Sequence, residues 1–324
     1  SMPASTRPRS RCEAPRPVDE FELIRRFFVR EDEGHGVVTG IGDDGAVLSP
    51  EPELDLVNVI DTLVEGVHFP SDIDAADLGY RVVAVNLSDI AAMGGRPRWM
   101  TLALTLSAAD ESWLMRFSEG LFAAASEHDV ALVGGDTTSG DSMVATVQIT
   151  GDVARGKAIH RSGAKPGDRI YVTGTVGDAA AGLGLIQSGK PDEFLAQRYL
   201  RPSARVAVGR SLVDLASAAI DVSDGLVGDL GKLLFASGVG AELDVDAVPM
   251  SDALRSAFDA DTRRRFALTG GDDYELCFTS SENIPDELAD VPVTRIGTIT
   301  ANPDIVCRDS NGVVDVDDSG YLHF

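Results

Sequence analysis

The chain has 324 residues, of which 44% are hydrophobic and 25% charged, so we expect a folded protein long enough for two domains. Its formal net charge of −24 argues against nucleic acids and anionic membranes as partners, because both would be repelled over most of the surface. We interpret most of the 52 acidic residues as part of a solvated surface. An anionic substrate would be repelled by this surface and would therefore need bound cations.

The three cysteines, Cys12, Cys277 and Cys307, form no CxxC motif, and their odd number favours a reducing compartment. We interpret Cys277 and Cys307 as buried small hydrophobic residues. No run approaches 18 apolar residues and residues 1–17 have no apolar centre, so neither a membrane span nor a signal peptide is predicted. We therefore expect a cytoplasmic protein in which residues 1–17 form a disordered tail.

Residues 18–155 are predicted to form an N-terminal domain of helices and strands. Asp19 and Glu22 precede apolar residues at helical spacing, and Asp74 begins a second helical pattern that Gly94 and Gly95 end. The expected elements are a helix from Asp19 that ends before Gly34, a strand over 54–60, a helix over about 74–92, a strand over 99–106, a helix over 110–128, and strands over 130–133 and 143–153.

Residues 156–324 are predicted to form a C-terminal domain in which strands and helices alternate. The polar stretch from Arg161 to Asp168 suits a domain boundary, which we place near residue 155. The expected elements are a strand over 170–173, helices over 177–188 and 203–217, a strand-to-helix corner at 219–226, a helix to about residue 236, and a glycine–aspartate turn at 270–273 that leads into a strand.

The stretch Gly40-Ile-Gly-Asp-Asp-Gly45 places two adjacent carboxylates in a glycine-flanked turn. Its glycines fit G-x-G-x-x-G, but Pro50 and Pro52 follow where a dinucleotide-binding loop needs the start of a helix. Two aspartates also repel a bare phosphate. Magnesium binds carboxylate oxygens together with substrate phosphates, so a magnesium-dependent phosphate site is the reading that this turn favours.

Aspartates recur at strand ends, at glycine turns and on one apolar helix. The positions are Asp43/Asp44, Asp61, Asp89, Asp136, Asp221/Asp224 and Asp272/Asp273. If they converge, divalent cations must be shared, because two unit charges about 4 Å apart repel by about 4 kcal/mol at an effective dielectric of roughly 20. Simpler readings stay open for three places. Gly134-Gly135-Asp136 could be an ordinary turn, Ser223 or Asp224 a helix cap, and His68 a plain loop residue.

Seven segments together resemble the ordered motif set of the thiamine-monophosphate kinases: GIGDDGAVL, DTLVEGVHF, NLSDIAAMGG, VGGDTTSG, RSGAKPGD, DVSDGL and GGDDYELCF. The resemblance runs from about Asp19 to Phe324. It implies a two-domain fold like that of aminoimidazole ribonucleotide synthetase, with an N-terminal α+β domain that dimerises through its sheet and a C-terminal α/β domain. It also implies ATP-dependent conversion of thiamine monophosphate to thiamine diphosphate by a homodimer.

The resemblance also implies roles for particular residues. Magnesium is implied at Asp44, Asp61, Asp89, Asp136, Asp221 and Asp224, with the backbone of Ile60. ATP contacts are implied at Gly135, Asp136, Arg161 and Ser223, and substrate contacts at His68, Asp272 and Tyr321. Several relatives have glutamate where this chain has Asp272. No residue is assigned as a general base, because a phosphate monoester with a second pKa of about 6 is mostly a dianion at neutral pH.

Two alternatives to this activity remain. A selenophosphate synthetase would need a reactive cysteine or selenocysteine near a lysine in an N-terminal glycine-rich segment, whereas Cys12 lies in Arg-Ser-Arg-Cys-Glu-Ala. A non-catalytic module that binds metal or nucleotide is the second. The number of metal ions, the choice between magnesium and manganese, and assembly beyond a dimer do not follow from the sequence.

Overall fold

The structure is a computed structural model that describes residues 20–30 and 34–316. The helices are α1 (Glu20–Phe27), α2 (Ala75–Ala92), α3 (Glu111–Ser126), α4 (Asp178–Gln187), α5 (Glu193–Leu200), α6 (Val206–Ser211), α7 (Leu226–Ser237), α8 (Asp252–Ala257) and α9 (Ala260–Thr269). The strands are β1 (Val37–Thr39), β2 (Val47–Leu48), β3 (Leu54–Val64), β4 (Arg96–Leu106), β5 (Ala131–Ser139), β6 (Val144–Ala154), β7 (Arg169–Thr173), β8 (Ala218–Asp221), β9 (Gly240–Asp244), β10 (Leu276–Ser280), β11 (Glu287–Leu288), β12 (Val291–Thr300), β13 (Ile305–Asp309) and β14 (Gly312–Val314).

The N-terminal sheet has the strand order β3-β6-β4-β5, in which only the β4–β5 pair is parallel among the described strands. Side chains alternate between its two faces, so Val57 and Leu63 of β3 are buried while Leu56 and Ile60 are exposed. The inner face packs against α2. The opposite face, which we call the outer face, is formed by Leu56, Asn58, Ile60 and Thr62 of β3 and by Thr146, Gln148 and Thr150 of β6.

Helix α2 lies at the centre of the molecule. It contacts α3 and the N-terminal sheet, and it also contacts β8 and α6 of the C-terminal domain. Fourteen of its 18 residues are buried, including the polar residues Arg81, Asn86 and Ser88. A helix buried on nearly all sides can carry polar groups only where partners satisfy them, so these three positions indicate specific contacts.

The C-terminal sheet has the order β14-β13-β9-β12-β7-β10-β8, with β11 paired to β12. Its pairs are antiparallel except for the parallel pair β13–β9. Ile170, Val172 and Cys277 point into a core shared with α7, whereas Tyr171 and Phe278 stack at 5.3 Å on the face that joins the N-terminal core. The two domains therefore meet across a packed apolar boundary, which fixes the position of the site between them.

Several predicted elements are confirmed. Asp74 caps α2 by accepting from Ala76 N at 2.9 Å, and Asp110 caps α3 by accepting from Ser112 N at 2.8 Å. Cys277 and Cys307 are buried, as expected. A strand, β2, follows the turn at Gly40–Gly45, which agrees with the rejection of a dinucleotide-binding loop.

Other element boundaries were wrong. The strand predicted over 54–60 runs to Val64 as β3, and the strand predicted over 130–133 continues through the glycines to Ser139 as β5. The helix predicted over 203–217 is only the short α6, and α5 was missed. In each case, pairing or packing with distant segments overrides the local signal.

The predicted tail over residues 1–17 lies outside the described residues, as do Cys12 and Tyr321. Among the helices of residues 20–30 and 34–316, none combines the length and apolarity needed to span a bilayer.

Candidate active site

A cleft of about 930 Å³ lies between the two domains, and we call it the interdomain cleft. The N-terminal domain contributes the end of β3, the loop after it and one side of α2. The C-terminal domain contributes the corner after β8 and the loop before β10. Seven of the predicted site residues line this cleft: Asp61, His68, Asp89, Asp221, Ser223, Asp224 and Asp272. The structure therefore brings together residues that are up to 211 positions apart in the chain, from Asp61 to Asp272.

The carboxylates of this cleft repel one another. Burial and then the neighbouring Asp61 raise the pKa of Asp89 to about 6, while the nearby Arg161 opposes that rise. Burial and then Asp89 raise the pKa of Asp221 well above its ordinary value, and burial and then Asp224 raise the pKa of Asp61. A site that holds several carboxylates at such a cost is typical of one that binds cations.

Asp61 faces the cleft because of its position within a strand, and not at a strand end as predicted. It lies in the interior of β3, on the face opposite to Ile60, whose side chain is 64% exposed on the outer face. Ser88 of α2 donates from Oγ to Oδ2 of Asp221 at 2.8 Å. This hydrogen bond ties the central helix to the end of β8 and holds one carboxylate of the cleft in place.

The corner between β8 and α7 carries Ser223 and Asp224. Their backbone N–H groups both donate to Oδ2 of Asp229, each at 2.8 Å. Gly225 is the N-cap of α7 and makes no side-chain capping hydrogen bond, so the reading of Ser223 or Asp224 as the cap is wrong. Lys232 is ion-paired with both Asp224 and Asp229. Asp229 thus shapes the corner from which Ser223 and Asp224 line the cleft.

His68 and Asp272 also line the cleft. Nδ1 of His68 accepts from Val64 N at 3.1 Å, and the hydroxyl of Tyr199 donates to the carbonyl oxygen of His68 at 3.1 Å. Asp272 is ion-paired with Arg81 of α2 and accepts from the hydroxyl of Tyr274 at 3.1 Å. The contacts of Tyr199 with His68 and of Arg81 with Asp272 therefore cross between the domains.

Three predicted site residues, Asp44, Gly135 and Asp136, lie elsewhere. They line a second pocket of about 440 Å³ beside β5, which we call the edge pocket. Gly134, Gly135 and Asp136 belong to β5, so the reading of this stretch as a turn is wrong. A Cβ atom added to Gly135 would lie 2.0 Å from the carbonyl oxygen of Leu102, so this glycine permits close approach of β4.

Asp136 and Asp61 point to opposite faces of the N-terminal sheet. Asp136 pairs with Ala103, which pairs with Thr146, and Thr146 pairs with Thr62 of the outer face. In a sheet, residues paired in one row across the strands share a face. A single chain therefore divides the predicted aspartates between the interdomain cleft and the edge pocket.

The side chains of the interdomain cleft suit magnesium by their chemistry, since they are carboxylates that strongly disfavour one another without a cation. Within residues 20–30 and 34–316, however, no three His, Cys, Asp or Glu side chains are grouped closely enough to form a metal site. The donor types fit the ion, and the predicted metal ligands stay a prediction.

Sequence reasoning missed three residues that organise the site: Arg81, Ser88 and Asp229. Arg81 and Ser88 are polar residues inside an apolar helix, the same signal that identified Asp89. Asp229 is 1% exposed within α7 and gave no comparable signal, because it stands beside glycine and leucine in an ordinary amphipathic pattern. Its role depends on the fold of the corner before it.

Comparison with known proteins identifies the family. The model described as "AIR synthase related protein, N-terminal domain" matches residues 42–153, and "AIR synthase related protein, C-terminal domain" matches residues 165–309. The thiamine-monophosphate kinase of Salmonella typhimurium is 49% identical over 319 residues, which cover 94% of this chain and 98% of that protein. The chain belongs to the thiamine-monophosphate kinase family.

Solved structures agree with this membership. The thiamine-monophosphate kinase of Stenotrophomonas maltophilia has a TM-score of 0.81 and 45% identity, covering 86% of this chain and 93% of that chain. AaThiL complexed with AMPPCP and TMP has a TM-score of 0.76 and 32% identity, covering 88% of this chain and 92% of that chain. The two-domain fold implied by the resemblance to thiamine-monophosphate kinases is confirmed, while the division at residue 155 stays a prediction.

Proposed function

We propose that this chain transfers the terminal phosphoryl group of ATP to thiamine monophosphate, which yields thiamine diphosphate and ADP. The observation that supports this most strongly is the interdomain cleft, where carboxylates from both domains meet in a member of the thiamine-monophosphate kinase family. AaThiL, with 32% identity to this chain, has been solved with AMPPCP and TMP. The same pair of ligands, an adenine nucleotide and thiamine monophosphate, is assigned to this chain.

The reaction requires positioning and not a general base. A phosphate oxygen of thiamine monophosphate attacks the γ-phosphorus of ATP, and the bond from that phosphorus to the bridging oxygen of ADP breaks. The attacking phosphate is already mostly a dianion at neutral pH because its second pKa is about 6. The protein therefore has to align two anions whose mutual repulsion, and whose repulsion by the acidic cleft, is the main obstacle.

Magnesium is included in the proposal, held by Asp61, Asp89, Asp221 and Asp224 at the interdomain cleft and by Asp44 and Asp136 at the edge pocket, with the backbone of Ile60. When bound, the ion neutralises phosphate charge and orients the phosphates. The ATP contacts are assigned to Gly135, Asp136, Arg161 and Ser223, and the acceptor contacts to His68, Asp272 and Tyr321. The position of Arg161 supports its assignment, because its positive charge opposes the rise in the pKa of the Asp89 carboxyl group.

We further infer a homodimer that forms through the outer face of the N-terminal sheet. That face exposes the apolar side chains of Leu56 and Ile60, and Asp136 lies on it, opposite to Asp61. A second copy seated there would cover the apolar side chains and enclose Asp136. We also place the enzyme in the cytoplasm, in keeping with the buried thiol of Cys277, and the domain boundary between residues 155 and 156.

The test is phosphorus NMR of the purified protein with ATP, magnesium and thiamine monophosphate. The expected result is the appearance of thiamine diphosphate and ADP in equal amounts. Binding of magnesium and ATP by calorimetry without any thiamine diphosphate would instead identify a non-catalytic binding module. Phosphoryl transfer that requires selenide would identify a selenophosphate synthetase.

In the same assay, we expect Asp89→Asn to lower turnover by at least about 100-fold, equivalent to about 2.7 kcal/mol. The variant keeps the side-chain volume and removes a negative charge that faces the cleft. Glu119→Gln, on the exposed surface of α3, is the matched control and should retain full turnover. Near-normal turnover of Asp89→Asn with an unchanged circular dichroism spectrum would remove Asp89 from the reaction centre.

A further inference from the structure

Arg81 is a buried arginine that reaches from the N-terminal domain into the C-terminal domain. Arg81 is 1% exposed, and its guanidinium donates to the carbonyl oxygen of Tyr199 and forms an ion pair with Asp272. The same guanidinium lies 4.3 Å from the ring centroid of Tyr199 and 5.7 Å from that of Tyr274. A charged side chain is buried this deeply only where such partners compensate for its lost hydration.

These contacts fix one oxygen atom of Asp272. Oδ1 accepts hydrogen bonds from the guanidinium of Arg81 and from the hydroxyl of Tyr274. The backbone N–H of Asp272 donates to the carbonyl oxygen of Ser223 at 2.8 Å. The backbone itself is held in the left-handed region, with φ of 71°. Among residues 20–30 and 34–316, no hydrogen bond ends on Oδ2 of Asp272, which lines the interdomain cleft. One carboxylate oxygen is therefore anchored and the other is left for a ligand.

The chemistry of that oxygen decides which end of the acceptor it can meet. A carboxylate oxygen accepts from N–H donors and attracts cations, and it repels phosphate. Thiamine monophosphate offers an aminopyrimidine and a positively charged thiazolium at one end and a phosphate at the other. Asp272 therefore suits the thiamine end, whereas the phosphate belongs with the cations that the other carboxylates of the cleft would hold.

We propose that Arg81 is a positioning residue that sets the specificity of the cleft for the thiamine end of the acceptor, by holding Asp272 with Oδ2 directed at the ligand. This rests on the proposed function, and it adds a residue that touches no substrate. Arg81 also lines the interdomain cleft, but only 2% of its side chain is exposed and its guanidinium is ion-paired with Asp272, so it acts through Asp272.

The test measures three constants on Arg81→Met: the KM for thiamine monophosphate, the KM for ATP, and the inhibition constant of thiamine, which lacks the phosphate. We expect the KM for thiamine monophosphate and the inhibition constant of thiamine to rise by similar factors, of about tenfold or more. The KM for ATP should change less than about twofold. Arg81→Lys, which keeps a charge beside Asp272, should recover most of the loss.

Two further variants separate positioning from stability. Arg201→Met is the matched control, because Arg201 also joins the domains through an ion pair, with Asp77, but does not line the cleft. It should lower the melting temperature and leave all three constants unchanged. Asp272→Asn should weaken thiamine binding as Arg81→Met does, and combining the two should add little, because one removes the carboxylate and the other removes its anchor.

Three outcomes would overturn the proposal. If Arg81→Met and Arg81→Lys lose only melting temperature, Arg81 is a structural residue. If the loss is seen with thiamine monophosphate but not with thiamine, the guanidinium acts on the phosphate. If the losses of Arg81→Met and Asp272→Asn multiply, the two residues act separately. If the proposed function itself fails, the wild-type chain gives no thiamine diphosphate. Thiamine binding by the wild-type chain and the variants can then still be compared by calorimetry.

Discussion

Asp273, next to Asp272 of the interdomain cleft, is a fully buried carboxyl group whose charge the fold disfavours. It accepts from the backbone N–H groups of Gly177 and Ala179 at the start of α4, the latter at 3.0 Å. Burial raises its pKa to about 7, although these two hydrogen bonds and the nearby Arg198 oppose the rise, and Asp178 adds to it. The carboxyl group therefore ties α4 to the loop before β10 at an electrostatic cost.

This cost predicts how stability depends on pH. The unfolded chain loses the proton of Asp273 near the ordinary pKa of about 3.9, whereas the native chain keeps it to about pH 7. Between these values the native state binds more protons, so the contribution of Asp273 to the free energy of unfolding falls as the pH rises. In Asp273→Asn this dependence is absent, so the wild-type advantage in melting temperature should shrink between pH 5 and pH 8.

Asp259→Asn supplies the comparison for this measurement. Asp259 is the exposed N-cap of α9, and hydrogen bonds from Thr262 hold its pKa below the ordinary value. Both states ionise this group above about pH 5, so the difference between wild type and Asp259→Asn should be constant from pH 5 to pH 8. A constant difference for Asp273→Asn as well would contradict the raised pKa of Asp273.

At the scale of elements, the fold of the N-terminal domain depends on the close crossing of α2 and α3. A Cβ atom added to Gly120 of α3 would lie 1.8 Å from the carbonyl oxygen of Ala76, and one added to Gly79 of α2 would lie 2.0 Å from that of Phe117. Each glycine thus faces the backbone of the other helix. Backbone atoms cannot give way as a flexible side chain can, so the crossing has no room for a methyl group.

We therefore expect Gly120→Ala to lower the free energy of unfolding by about 1–3 kcal/mol or more, the range for forcing extra volume into a packed core. Gly184→Ala is the matched control, since Gly184 also lies within a helix, α4, and has no atom within 4 Å of the added Cβ. That change should raise stability by about 0.5–1 kcal/mol, because alanine favours helix. Chemical denaturation of both variants measures these effects, and equal effects would contradict the close crossing.

At the scale of the whole molecule, the outer face of the N-terminal sheet is the surface through which we propose that the dimer forms. Leu56 is 47% exposed and Ile60 is 64% exposed, both on β3, which buries Val57 and Leu63 on its opposite face. The same face carries hydrogen-bonded side chains: Thr150 donates to Asn58 at 2.6 Å, and the hydroxyl oxygens of Thr62 and Thr146 are hydrogen-bonded at 2.8 Å. A flat face that combines apolar residues with ordered polar groups suits the self-complementary interface of a two-fold dimer.

If the outer face forms the dimer, the wild-type protein should sediment at about twice the 34.2 kDa mass of the chain. Leu56→Asp places a charge where two copies would meet, so it should shift sedimentation toward the single-chain mass at micromolar concentration. Val313→Asp is the control, because Val313 is 67% exposed on β14, at the far edge of the other sheet. Dissociation by Val313→Asp and not by Leu56→Asp would move the interface to the C-terminal domain.

The sequence by itself determined the elements whose signals are local. Asp74 and Asp110 mark the starts of α2 and α3 because a cap acts on the backbone within three residues. The aspartates of the cleft were found for a similar reason, since Asp89 interrupts an apolar helix and Asp221 ends an apolar strand. The ordered motifs added the family, which the comparisons confirm.

Only the tertiary structure decided how these residues are arranged. The sequence around Gly134-Gly135-Asp136 reads as a turn, yet pairing with β4 extends it into a strand and turns Asp136 to the face opposite Asp61. Arg81 has no local signal for its partner, because Asp272 lies 191 residues away. Strand pairing and contacts between domains depend on which distant segments meet, and the free energy of those contacts is larger than any local preference of the chain.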